Sequence, residues 1–81
     1  MKVVYELDVE CSCPVDNKGD MYQCTLTSTK PIPVENILSV VAKHQQLKVF
    51  QEVLAESLSR ELFCNVRLVG YHSGVRVTVD A

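Results

Sequence analysis

Apolar and polar residues alternate from Lys2 to Cys11. Val3, Tyr5, Leu7, Val9 and Cys11 share one face, and Lys2, Glu6, Asp8 and Glu10 share the other with Val4. A period of two marks a half-buried strand. The segment Pro14-Val15-Asp16-Asn17-Lys18-Gly19 breaks the pattern with turn-forming residues. From Met21 to Thr29 the alternation resumes, with Tyr22, Cys24 and Leu26 on one face and Gln23, Thr25 and Thr27 on the other. The two strands are expected to pair as an antiparallel hairpin. Lys30-Pro31-Ile32-Pro33 ends the second strand, because neither proline can donate to a ladder. It also opens a helix, with Pro33 near the first turn and Glu35 placed against the helix dipole.

Val34, Ile37, Leu38 and Val41 recur at helical spacing, giving a short helix to about Lys43, and His44-Gln45-Gln46 forms a polar break. Phe50, Val53, Leu54, Leu58 and Leu62 form the apolar stripe of a second helix, with Glu56 and Arg60 spaced as a favourable exposed pair. After Phe63 the period returns to two. Val66 and Leu68 face one way, and Arg67, Val69 and Tyr71 the other; His72-Ser73-Gly74 turns the chain; Val75, Val77 and Val79 alternate with Arg76, Thr78 and Asp80. The order strand-strand-helix-helix-strand-strand predicts an α+β domain: a four-stranded antiparallel sheet with two helices on one face. The pattern leaves no room for a second domain, and residues 1–81 are expected to form a single one.

Composition narrows the function classes. A formal net charge of −2 leaves no overall electrostatic footprint for nucleic acid, although an oligomer could assemble a local patch from Lys43, Lys48, Arg60, Arg67 and Arg76. No stretch is long and apolar enough to span a bilayer, and Glu6, Asp8 and Glu10 interrupt what would be the apolar part of a secretory leader, so a cytoplasmic location is expected. In that compartment Cys11, Cys13, Cys24 and Cys64 are expected to be free thiols. Their spacing matches none of the usual paired zinc-ligand patterns, and no metal is expected.

The candidate chemistry lies at the first turn. Cys13 precedes a proline that biases it toward an extended conformation, and Asp20 follows on the far side of a segment that can fold back through Asn17 and Gly19. A hairpin would set Cys13 and Asp20 on one rim, a nucleophile beside an acid. Cys11, Cys24 and Cys64 read as core residues, His44 and His72 as solvated turn residues, and Gln51 as a surface or interface residue. Glu52 flanks the apolar stripe, where a glutamate is ordinarily solvated.

These residues carry a family resemblance. The order of elements is similar to the unit of the tunnelling fold, whose members handle purines and pterins. Cys13-Pro14-Val15 followed by Asp20 resembles the Cys-Pro-Val-x4-Asp segment of the 7-cyano-7-deazaguanine reductases, the QueF family. Phe50-Gln51-Glu52 stands where that family has Phe-His-Glu, and Val66-Arg67-Leu68-Val69-Gly70 with Ser73-Gly74-Val75 is similar to its last hairpin. Two departures matter. The lysine-bearing run associated with nicotinamide binding is absent: the corresponding stretch reads Val34-Glu35-Asn36-Ile37-Leu38. The family's site histidine is replaced by Gln51. The missing run, with the Tyr71-His72-Ser73-Gly74-Val75 ending, resembles the QueF-like amidinotransferases, the archaeosine synthase branch.

That resemblance implies catalysis by Cys13 and Asp20 and substrate binding by Glu52, with Gln51 contributing by position. Cys13 would add to the nitrile of a 7-cyano-7-deazaguanine base to form a thioimide, and Asp20 would protonate the nitrile nitrogen. Ammonia would then displace the thiol to give the formamidine, with no redox cofactor. Glu52 would accept from N–H groups of the base. The implied partners are that base, free or in tRNA or DNA, and ammonia. The implied assembly is a homo-oligomer, a pentamer or decamer, whose sheets join edge to edge into a barrel. The alternatives are an NADPH-dependent nitrile reductase acting on the free base, and a non-catalytic module that binds a purine-like or pterin-like ligand.

Overall fold

A computed structural model describes residues 1–12, 14–15 and 19–81. The strands are β1 (Val3–Ser12), β2 (Gly19–Ser28), β3 (Asn65–His72) and β4 (Val75–Asp80), and the helices are α1 (Val34–Gln45) and α2 (Gln51–Leu62). All three strand pairs are antiparallel, and the sheet order β1-β2-β3-β4 leaves β1 and β4 as edges. The helices, inserted between β2 and β3, cover one face of the sheet. α1 packs on β1 and α2 on β3 and β4.

The alternation read from the sequence is the alternation that is buried. Val9 and Cys11 of β1, Tyr22, Cys24 and Leu26 of β2, and Val66 and Leu68 of β3 meet Ile37 and Val41 of α1 and Leu54, Ala55, Leu58 and Leu62 of α2. β3 and β4 are joined by Ser73 (φ 50°) and Gly74 (φ 83°). Two successive positive φ values make the mirror-image turn whose twist matches the flanking strands. His72 is therefore the last residue of β3 rather than part of the turn.

Four expectations change. α1 runs past Lys43 to Gln45. His44 is not solvated but 8% exposed, held by Glu61 of α2 together with Lys43. The cross-helix contact draws the last turn of α1 into the core. The buried stripe of α2 is Gln51, Leu54, Ala55, Leu58 and Leu62, whereas Phe50 and Val53 are 48% and 46% exposed. A polar residue takes the inward position because partners for its amide wait there, which no apolar pattern could signal. Finally, Glu56 and Arg60 are exposed, and no ion pair joins them.

Candidate functional site

The antiparallel pairing brings the end of β1, the start of β2, the end of β3 and the start of β4 to the same end of the sheet. Cys11 is the cross-strand partner of Asp20, and Ser12 that of Gly19. An isolated parallel bridge between Ser12 and Lys48 brings the α1–α2 connection alongside the end of β1, so α2 starts at this end too.

Gln51, the first residue of α2, fastens it there. Its side chain is buried, and its Nε2 donates to the backbone carbonyls of Leu68 (2.9 Å) and Val77 (3.0 Å). Its Oε1 stands 2.8 Å from His72 Nε2. The His72 ring lies beside Tyr22, with centroids 6.1 Å apart and the planes tilted by 49°. The Tyr22 hydroxyl reaches toward Asp20 Oδ2 at 3.5 Å, the outer limit of a hydrogen bond. Asp20 is half-buried, whereas Glu52 is exposed and has no side-chain partner among the described residues.

The thiols differ from a reactive cysteine in environment. Burial pushes Cys11 above its ordinary value, and the charges of Asp20 and Glu10 push it further the same way. Burial, with a smaller contribution from Cys64, pushes Cys24 up to about 12. Burial likewise raises Cys64. The thiolate is the nucleophilic form, so these three are held in the unreactive one. Among the described residues no group of His, Cys, Asp and Glu is arranged to hold a metal ion.

The architecture is similar to the crystal structure of the archaeosine synthase QueF-Like in the apo form, with a TM-score of 0.85 at 20% sequence identity, covering 99% of this chain and 90% of that one. The unit is a tunnelling fold. No family model matches the sequence, and no curated protein does. At that identity the likeness speaks for the fold alone.

Within this tunnelling-fold unit the residues expected from sequence fall out unevenly. Cys13 lies outside the described residues, as do Asp16, Asn17 and Lys18 of the first turn. Asp20 and Gln51 are brought into one connected set through Tyr22 and His72. Glu52 joins that set through the backbone of α2. Gln51 is not the surface or interface residue expected: it is 3% exposed, and its amide is engaged by the fold on every side. His72, expected in a solvated turn, is half-buried. Sequence reasoning left Tyr22 and His72 out of the set that their contacts join to Asp20 and Gln51, though a signal existed. His72 continues the Val66, Leu68, Gly70 alternation, which is the buried face of β3. The basic patch is also thinner than its five residues suggested, because Lys43 is tied to Glu61 and Arg67 to Asp80. An open concavity of about 530 Å³ between Thr25, Thr27 and Asp80 lies at the opposite end of the sheet and contains none of the candidate residues. No helix of the described chain is long and apolar enough to cross a membrane.

Proposed function

We propose that the chain is an amidinotransferase that converts the nitrile of a 7-cyano-7-deazaguanine base, carried in tRNA or DNA, into a formamidine. The Cys13 thiolate adds to the nitrile carbon, forming a C–S bond as the C≡N triple bond becomes C=N. Asp20 delivers the proton that the nitrogen gains, giving a neutral thioimide. Ammonia then adds to the same carbon, the Asp20 carboxylate takes back a proton from the added nitrogen, and the C–S bond breaks, so that the thiolate leaves with the neutral amidine formed and Asp20 is again the acid. Electrons balance without a redox cofactor. Glu52, exposed at the start of α2, accepts from N–H groups of the base.

The observation that carries this reading is the gathering of Asp20, the strand leading into Cys13 and the start of α2 at one end of the sheet. Two further facts support it. Cys11, Cys24 and Cys64 are buried with raised pKa values, which leaves Cys13 as the candidate thiolate. The fold is shared with an enzyme described as an archaeosine synthase. The open edges β1 and β4 suit joining of copies edge to edge, which would wall in a base that one sheet leaves exposed.

The test is incubation with 7-cyano-7-deazaguanine, free and within tRNA or DNA, with and without ammonium, read by mass spectrometry. Without ammonium the chain should gain the full mass of the base on the peptide containing Cys13, and Cys13→Ala should abolish the gain. With ammonium the nucleic acid should gain the mass of ammonia. An adduct on Cys11, or consumption of NADPH with the free base, would overturn the proposal.

A further inference from the structure

We propose that His72 is a positioning residue for Asp20, acting through Tyr22 and held in one tautomer by Gln51. It rests on the reading of Asp20 as the acid of the reaction, and it assigns work to three side chains which that reading leaves unused.

The argument begins with the orientation of the Gln51 amide. Its nitrogen carries two hydrogens, and two backbone carbonyls, those of Leu68 and Val77, stand at 2.9 and 3.0 Å to receive them. Exchanging the amide oxygen and nitrogen would set oxygen against oxygen at both contacts, so the carbonyl oxygen must face His72. An amide oxygen only accepts, and the imidazole nitrogen 2.8 Å away must therefore carry its hydrogen. Gln51 thus fixes both the ring plane of His72 and the nitrogen that holds its proton. A buried amide anchored on two strands is a rigid support.

From His72 the contact passes to Tyr22. A β-carbon at Gly70 would stand 2.5 Å from Tyr22 Cδ1 and 2.7 Å from Cε1, so the Tyr22 ring lies directly across the bare backbone of Gly70. Two residues further along the same face of β3 stands His72, whose ring closes against that of Tyr22. The phenol is wedged between Gly70 and His72 with its hydroxyl directed toward Asp20 Oδ2. β2 and β3 pair from Thr27↔Asn65 to Gln23↔Val69, so Tyr22 and His72 lie just beyond the last paired residues of two neighbouring strands. The start of α2 and the carboxyl of Asp20 are therefore linked through His72 and Tyr22 in a fixed order.

A residue that acts through another loses its effect when that other is removed, which makes the double-mutant cycle decisive. In single-turnover adduct formation with 7-cyano-7-deazaguanine, His72→Ala and Tyr22→Phe should each lower the saturating rate about tenfold, the scale expected for a misplaced catalytic group. The half-saturating base concentration should stay within about twofold, since uniform binding is untouched. The double variant should be no slower than the slower single. His72→Gln, which keeps a donor for Gln51 but removes the ring, should behave as His72→Ala does and guards against a folding defect. Multiplicative losses in the double variant, or a half-saturation that moves with the rate, would reduce His72 to a packing residue and overturn the proposal.

A second readout is independent of the reaction. Long-range proton–nitrogen spectra should place the proton of neutral His72 on Nε2. The carboxyl carbon resonance of Asp20 should move on His72→Ala in the native background but not in the Tyr22→Phe background. A proton on Nδ1, or equal movement in both backgrounds, overturns the coupling even if no adduct forms. An absent wild-type adduct with the expected spectra overturns the proposed reaction instead.

Discussion

Gly70→Ala should destabilise the domain although strand propensity alone predicts the opposite. Replacing glycine by alanine within a strand ordinarily gains roughly 0.5–1 kcal/mol, because the unfolded chain loses less freedom on folding. Gly70 has no positive φ that would bar alanine. The new methyl group would, however, stand 2.5 Å from a ring carbon of Tyr22, well inside van der Waals contact. Tyr22 is 1% exposed, so its ring has no solvent to retreat into and its neighbours must move. Overpacking of this kind typically costs about 1–3 kcal/mol, which outweighs the propensity gain and leaves a net loss of about 1–2 kcal/mol. For a domain of this size that corresponds to a fall in Tm of roughly 4–8 °C per kcal/mol. The assay is urea unfolding followed by circular dichroism for wild type, Gly70→Ala, Tyr22→Leu and the double variant, at one protein concentration because any association adds to apparent stability. In the Tyr22→Leu background the ring is gone, and Gly70→Ala should become neutral or stabilising. A stabilising Gly70→Ala in the native background would refute the reasoning. So would a cost that persists undiminished beside Tyr22→Leu.

Three further outcomes are expected. Gln51→Leu should lower stability by about 1–3 kcal/mol in the same unfolding assay, since the shape is nearly kept while buried carbonyl partners lose a donor; an unchanged midpoint would mean that the bracket adds nothing. The Lys43 and His44 side chains hold the Glu61 carboxyl down at about 2, from an ordinary 4.5. Stabilisation from a depressed carboxyl is present above its unfolded pKa and lost as pH falls toward the folded one, so the stability gap between wild type and Glu61→Gln should close between about pH 4.5 and 2. A gap of constant size across that window would assign the loss to packing. Light scattering at micromolar concentration should show an oligomer, because β1 and β4 leave two unpaired edges; a monomer would leave the base-binding site as proposed without its second wall.

The sequence by itself determined the six elements, their order and the face of the sheet that is buried. All three depend on local periodicity: Val9, Cys11, Tyr22, Cys24, Leu26, Val66 and Leu68 lie inside because alternation of period two admits only one inward face per strand. The second helix shows where periodicity stops. Phe50 and Val53 belong to the apolar pattern yet face outward, while Gln51 turns inward, because two carbonyls and an imidazole from strands far along the chain complete its hydrogen bonds. His44 is buried for a similar reason: Glu61, on the other helix, supplies its partner. Only the tertiary structure decided that Asp20, Tyr22, His72 and Gln51 meet. Such a meeting depends on strand register across a two-helix crossover, and no local pattern encodes which distant polar groups will satisfy one another.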